Sequence, residues 1–344
     1  MFWHPLFLAI LSADIVALFL LLAVALTSLR TALYWQPESA DSRQLSLESE
    51  VESASIQGRA AFWLVFFSVI LLVSGIANVF HEDIRGAMCG TGVCQAMAGG
   101  GARPILCTGL LLGVMLLWYE LDKVNRKLVD MPLTETNARL FLVIPPLAVL
   151  TLMQTYDAFA NIQPHRPVDC CSIVYDQFQT LTHANSIAGL GDPWWIGAFV
   201  ALSLLLLCLS TAMYFSDATH PKRRLALAII GCLWMPVAAL TLVNILSAYH
   251  YEVLHHHCPW CLLLPEHGLV GYPLYGAMGI IGMEALTLLI LPRLTKQSPR
   301  AFSQALDRCL RGARRMIIAE IIFLIFAAGP AIVWWLRFGN WLTT

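Results

Sequence analysis

Eight long apolar runs, at roughly 6–28, 61–80, 104–119, 139–159, 194–215, 225–249, 272–292 and 316–336, leave this 344-residue chain few ways to fold. As helices they are of the length that crosses a hydrocarbon core of about 30 Å. Within lipid a backbone must satisfy its own hydrogen bonds, which only helices and closed barrels do. The runs are rich in Leu, Ala and Val with no alternation of period two, so the expectation is an all-α polytopic membrane protein, read as one integral domain over 1–344. A 58% hydrophobic and 12% charged composition, with mean hydropathy +0.69, agrees with that class. The first run has no basic segment before it and no small-residue cleavage site after it, so it reads as a retained helix.

Basic residues set the expected orientation. The connections at 29–60, 120–139, 216–224 and 293–315 carry all of the 21 Lys and Arg except Arg85, Arg103, Arg166 and Arg337. Those connections are expected in the cytoplasm, with both termini outside. The loops 81–103, 160–193 and 250–271 then face outward. Short connections suit a bacterial inner membrane, which makes the outer side the oxidising periplasm. The 29–60 connection, Ser/Glu-rich with Leu45, Leu47, Val51 and Ile56, is expected to hold a short surface helix.

A faint internal repeat sets Pro146 against Pro236, which brings His165 onto His255 and Cys171 onto Cys261. It suggests three outward hairpins, spans 2–3, 4–5 and 6–7, flanked by spans 1 and 8.

The cysteines carry the chemistry. Cys89/Cys94, Cys170/Cys171 and Cys258/Cys261 all fall in the three outward loops. His255-His256-His257-Cys258-Pro259-Trp260-Cys261 joins a Cys-X-X-Cys pair to three imidazoles. Such a pair closes a small disulfide ring and reacts as thiolate when its pKa is lowered. The same donors suit copper or zinc, which gives His255, His256, His257, Cys258 and Cys261 as a metal set. A plain disulfide staple is the third reading. Cys89-Gly-Thr-Gly-Val-Cys94 lies between Met88 and Met97, whose thioethers are soft ligands. A bridge between adjacent Cys170 and Cys171 is strained, so these pair elsewhere or bind something. Six outer cysteines allow about 15 connectivities.

Cys107, Cys208, Cys232 and Cys309 read as packing residues. Asp14, Glu284 and Glu320 lie within spans, where charge is costly, and are candidates for a proton path or a helix contact. His250 and Tyr249 lie at the outer boundary, where a quinone ring would bind. Trp194, Trp195, Trp118, Tyr119, Trp334 and Trp335 fit an interfacial belt. No nucleotide-binding loop, Ser-His-Asp set or nucleic-acid surface is visible.

Outward cysteine pairs on membrane helices, Cys258/Cys261 with a second outer pair, resemble the quinone-linked disulfide-forming proteins and the vitamin K epoxide reductase family. The chain departs from that pattern in helix number and in its histidine run. The resemblance implies a thiol-disulfide oxidoreductase in which Cys258 and Cys261 cycle, Cys89/Cys94 or Cys170/Cys171 exchange electrons with a periplasmic partner, and a quinone accepts them. The alternatives are a periplasm-facing copper or zinc binding and transfer protein served by a metal carrier, and a disulfide-stapled subunit of a larger membrane complex.

Overall fold

The computed structural model describes residues 3–36, 38–39, 41–97, 101–162, 167–168, 186–187, 190–215, 220–252 and 256–342. Eight helices are long and apolar enough to cross a membrane: Pro5–Tyr34, Ser42–Asn78, Ala102–Asn125, Thr134–Ala160, Asp192–Phe215, Pro221–Tyr251, Gly271–Leu294 and Pro299–Phe338. The chain is an all-α polytopic protein of the lipid bilayer, as the apolar runs predict. Side chains such as Phe19, Leu204 and Ile325 are exposed along the spans, where lipid is the natural solvent.

Two connections differ from expectation. The surface helix expected within 29–60 is the first part of the second span, one helix from Ser42 to Asn78. That segment contains no proline, so nothing interrupts the backbone ladder as polar sequence gives way to apolar. Most of 293–315 likewise belongs to the last helix, which starts at Pro299, a residue well suited to a first turn. The fourth span breaks at Leu142 and Val143, just before Pro145 and Pro146. The sixth carries Pro236 in its interior and passes through a π-turn at Leu242–Leu246. The proposed repeat therefore sets a first-turn proline over a mid-helix one. Its His165, Cys171 and His255 lie outside the described residues.

Contacts divide the chain into two compact units. One comprises Met1–Arg85, Val93–Arg166 and Ile290–Ala305 and contains the first four spans. Its first helix packs along the second, around Leu21, Phe62, Leu111, Met115 and Phe141. Trp118 belongs to this core and not to a rim belt: it is 2% exposed and meets Phe141 edge-on at 5.1 Å. Burying so large a ring outweighs what an interfacial position offers it. Asp14 hydrogen-bonds Ser68 in the same unit.

The other unit comprises Gly86–Gly92, Pro167–Leu289 and Leu306–Thr344. Its centre is Trp234, fully buried against Phe323 at 4.9 Å, with the indole Nε1 donating to Ser203 Oγ at 2.9 Å. Glu320 is fully buried beside Ser203 and Trp234. Glu284 joins the seventh span to the eighth. Arg308 grips it at both oxygens, Nη1 to Oε2 at 2.8 Å and Nη2 to Oε1 at 3.1 Å, and Arg315 Nε reaches Oε1 at 3.1 Å. A Cβ at position 312 would come within 2.5 Å of Glu284 Oε2, so Gly312 is what lets the two helices approach closely enough for the pair.

Candidate thiol centre

The second unit gathers three thiols from two loops. Cys89, Cys258 and Cys261 are all buried, and their sulfurs lie within 4.8 Å of one another. Cys89 Sγ is 3.4 Å from Cys258 Sγ, far beyond the roughly 2.05 Å of a disulfide. Thr91 Oγ1 lies 3.1 Å from the same Cys258 sulfur.

Local chemistry positions each thiol. Cys89 immediately precedes the short helix Gly90–Ala96, and its carbonyl accepts from Gly92 N at 3.0 Å. The Cys-X-X-Cys segment turns into a 3₁₀ turn at Cys261–Leu263, with Leu264 N donating to Cys261 O at 3.1 Å. Two tyrosine hydroxyls hold its backbone: Tyr251 donates to Cys258 O, and Tyr275 donates to Pro259 O at 2.6 Å. Tyr251 in turn stands edge-on to His256 at 4.5 Å and to His267 at 4.7 Å. The loop is thus anchored to the ends of two spans, and its thiols are pre-positioned.

Gly90 closes the arrangement. A Cβ there would meet the Trp260 ring at 2.6 Å, so the two loops interlock only with glycine at this position. Overpacking against a rigid ring costs about 1–3 kcal/mol. Gly90→Ala is therefore expected to lower the unfolding temperature of the purified protein and to raise the alkylation rate of Cys258 and Cys261. An unchanged alkylation rate would show that Trp260 yields without disturbing the thiols.

Hydrogen bonds from Cys261 and then Cys89 hold Cys258 well below the ordinary cysteine range, against the opposing effect of burial. The same hydrogen bond with Cys258 pushes Cys261 up, because its proton is the one being shared. Burial, and then the neighbouring His256, lower His267 and favour a neutral imidazole.

The other residues singled out from the sequence lie as follows. Cys94 packs against Gly101, where an added Cβ would sit 2.7 Å from its sulfur. His257 is adjacent in sequence to the buried Cys258, while His255, Cys170 and Cys171 lie outside the described residues. His250 Nε2 contacts Phe326 O at 3.0 Å, and Tyr249 OH accepts from Leu342 N at 3.3 Å, so both are engaged by the C-terminal helix and tail. Thr91, Tyr251 and Tyr275 had no marker in the sequence beyond their nearness to cysteines.

Comparison of the chain with protein-family models, with curated proteins and with solved structures finds no match.

Proposed function

We propose that this integral membrane protein binds a soft, thiophilic metal ion at Cys89, Cys258 and Cys261, with Cu(I) the best fit, and passes it to or from a carrier on the outer side of the membrane. The observation that carries this reading is the buried triangle of three sulfurs within 4.8 Å. A metal–sulfur bond of about 2.3 Å sets sulfur–sulfur separations of about 3.8 Å in a tetrahedral site, so the triangle needs little adjustment. Thiolates favour Cu(I), zinc and iron–sulfur chemistry over hard cations, and a group that among the described residues comprises three sulfurs suits three-coordinate Cu(I). Binding releases the thiol protons, and a low-lying Cys258 offers its thiolate first. His256 and the adjacent His257 border the loop as a point of entry. The distribution of Lys and Arg supports a topology with this loop and both termini on the outer side, which the short connections assign to the periplasm of a bacterial inner membrane.

The test is metal content and thiol count on one sample, purified under anaerobic reducing conditions and offered Cu(I). One copper per chain, with Cys89, Cys258 and Cys261 protected from alkylation, is the expected result. No copper, no protection and a reversible Cys258–Cys261 disulfide would overturn it in favour of the second reading.

That second reading is thiol-disulfide exchange, favoured by the 3.4 Å approach of Cys89 to Cys258. Oxidation of two of the three thiols to a disulfide would release two protons and two electrons, reducing a membrane quinone to quinol. The third thiol would then relay the disulfide to Cys94, Cys170, Cys171 or a periplasmic partner. Quinone binding at His250 and Tyr249 would require those residues to leave their contacts with Phe326 and Leu342.

A further inference from the structure

The last helix, Pro299–Phe338, carries two opposite stripes. Cys309, Ala313, Met316, Glu320, Phe323 and Ala327, spaced by alternate steps of four and three, are fully buried. Arg311, Arg314, Ile318, Ile321 and Ile325, with the same rhythm on the other side of the helix, are exposed. The isoleucines are 48%, 46% and 61% exposed on a helix that crosses the bilayer, so over its apolar length this stripe faces acyl chains. The same face turns cationic just before the apolar run that starts at 316. Arg314 and Arg311 lie about 3 Å and 8 Å from Met316 along the axis. That places them in the headgroup layer, which adds roughly 5–8 Å to each side of the hydrocarbon core.

The protein does not neutralise these two cations. Arg308 and Arg315 are committed to Glu284, whereas Arg311 and Arg314 form no ion pair among the described residues. Asp307, one turn further from the membrane, is an exposed carboxylate on their face. A second basic turn stands close by. The sixth span begins Pro221-Lys222-Arg223-Arg224. A Cβ at Gly231 of that span would lie 3.1 Å from Met316 Cε, and two turns earlier on both helices the charge of Arg224 bears on Cys309. The two helices therefore run side by side from the same end of the second unit, and their basic turns add to one positive field.

We propose that this face binds an anionic phospholipid, with Arg311 and Arg314 holding its phosphodiester and its acyl chains lying along Ile318, Ile321 and Ile325. A guanidinium fork pairs with two phosphate oxygens at once, and the net negative charge of the lipid answers the field of the two basic turns. The isoleucines that continue the cationic stripe favour a lipid over free phosphate, which gains nothing from apolar contact.

Native mass spectrometry of the detergent-solubilised full chain tests this, with phosphatidylglycerol and phosphatidylcholine of the same acyl chains titrated separately. A basic residue near an anionic lipid surface is worth roughly fivefold in affinity, so the two arginines are expected to give phosphatidylglycerol a preference of about twenty-five-fold. Arg311→Gln/Arg314→Gln is expected to abolish the preference and to leave the unfolding temperature unchanged, since both side chains are exposed. Arg293→Gln/Lys296→Gln removes two exposed charges of the first unit and is expected to keep the preference. Four results overturn the proposal: equal retention of the two lipids, a preference unchanged in the Arg311/Arg314 variant, an equal loss in both double variants, or displacement of phosphatidylglycerol by inorganic phosphate at the same concentration.

Discussion

Cys89→Ser is expected to weaken Cu(I) binding by more than about a hundredfold, beyond the 10–100-fold range of residues that only support a ligand. Serine keeps the shape of the side chain but replaces a soft thiolate with a hard, protonated oxygen, leaving two of the three sulfurs of the proposed site. Two comparisons make the result specific. Thr91→Val removes the hydroxyl that lies 3.1 Å from Cys258 Sγ, and is expected to fall within the outer-shell range. Cys94→Ser is expected to leave affinity unchanged, since the group comprises Cys89, Cys258 and Cys261. Competition against a coloured Cu(I) chelator under anaerobic conditions reads all three. A Cys94 variant that loses as much affinity as the Cys89 variant would break the assignment of ligands.

Arg308→Leu is expected to destabilise the protein by about 3–5 kcal/mol, since it strands a buried carboxylate that has lost its bidentate partner. Glu284 and Arg308 side chains are 6% and 4% exposed, so water cannot replace the missing guanidinium. Arg315 reaches the same carboxylate from a side chain 46% exposed, and Arg315→Leu is expected to cost less than about 1 kcal/mol. The double variant Glu284→Leu/Arg308→Leu should recover most of the loss, because removing both charges also removes the desolvation that each imposed. Thermal unfolding in detergent, followed by tryptophan fluorescence, measures the series. A single-variant loss as small as that of Arg315→Leu would mean that the Glu284–Arg308 pair contributes no net stability.

How far the sequence reached can be seen residue by residue. All eight spans were legible, because a long apolar run has no alternative to a helix in lipid. Their ends were less so. The helix from Ser42 runs unbroken through polar sequence into the second span, since hydropathy reports where lipid begins and not where backbone hydrogen bonding stops. Trp118 illustrates the same limit: an aromatic residue near a span end reads as interfacial, yet packing against Phe141 draws it into a core.

At the thiol centre, the Cys-X-X-Cys pair was evident from spacing alone, and its place in a connection between spans from hydropathy. That Cys89 joins it depends on a contact across 169 positions of chain, for which spacing carries no signal. The same is true of Tyr251 and Tyr275, whose hydroxyls find carbonyls of the loop only after the spans pack. Glu284 was marked by the cost of a charge in hydrocarbon, and its partner became identifiable only when the last helix placed Arg308 against it. The sequence by itself determined the solvent of each segment and the kind of donor atoms available, both of which follow from side-chain chemistry. Only the tertiary structure decided which donors meet, because that depends on how helices interlock at points such as Gly90 against Trp260 and Gly312 against Glu284, where the space of one Cβ settles the approach.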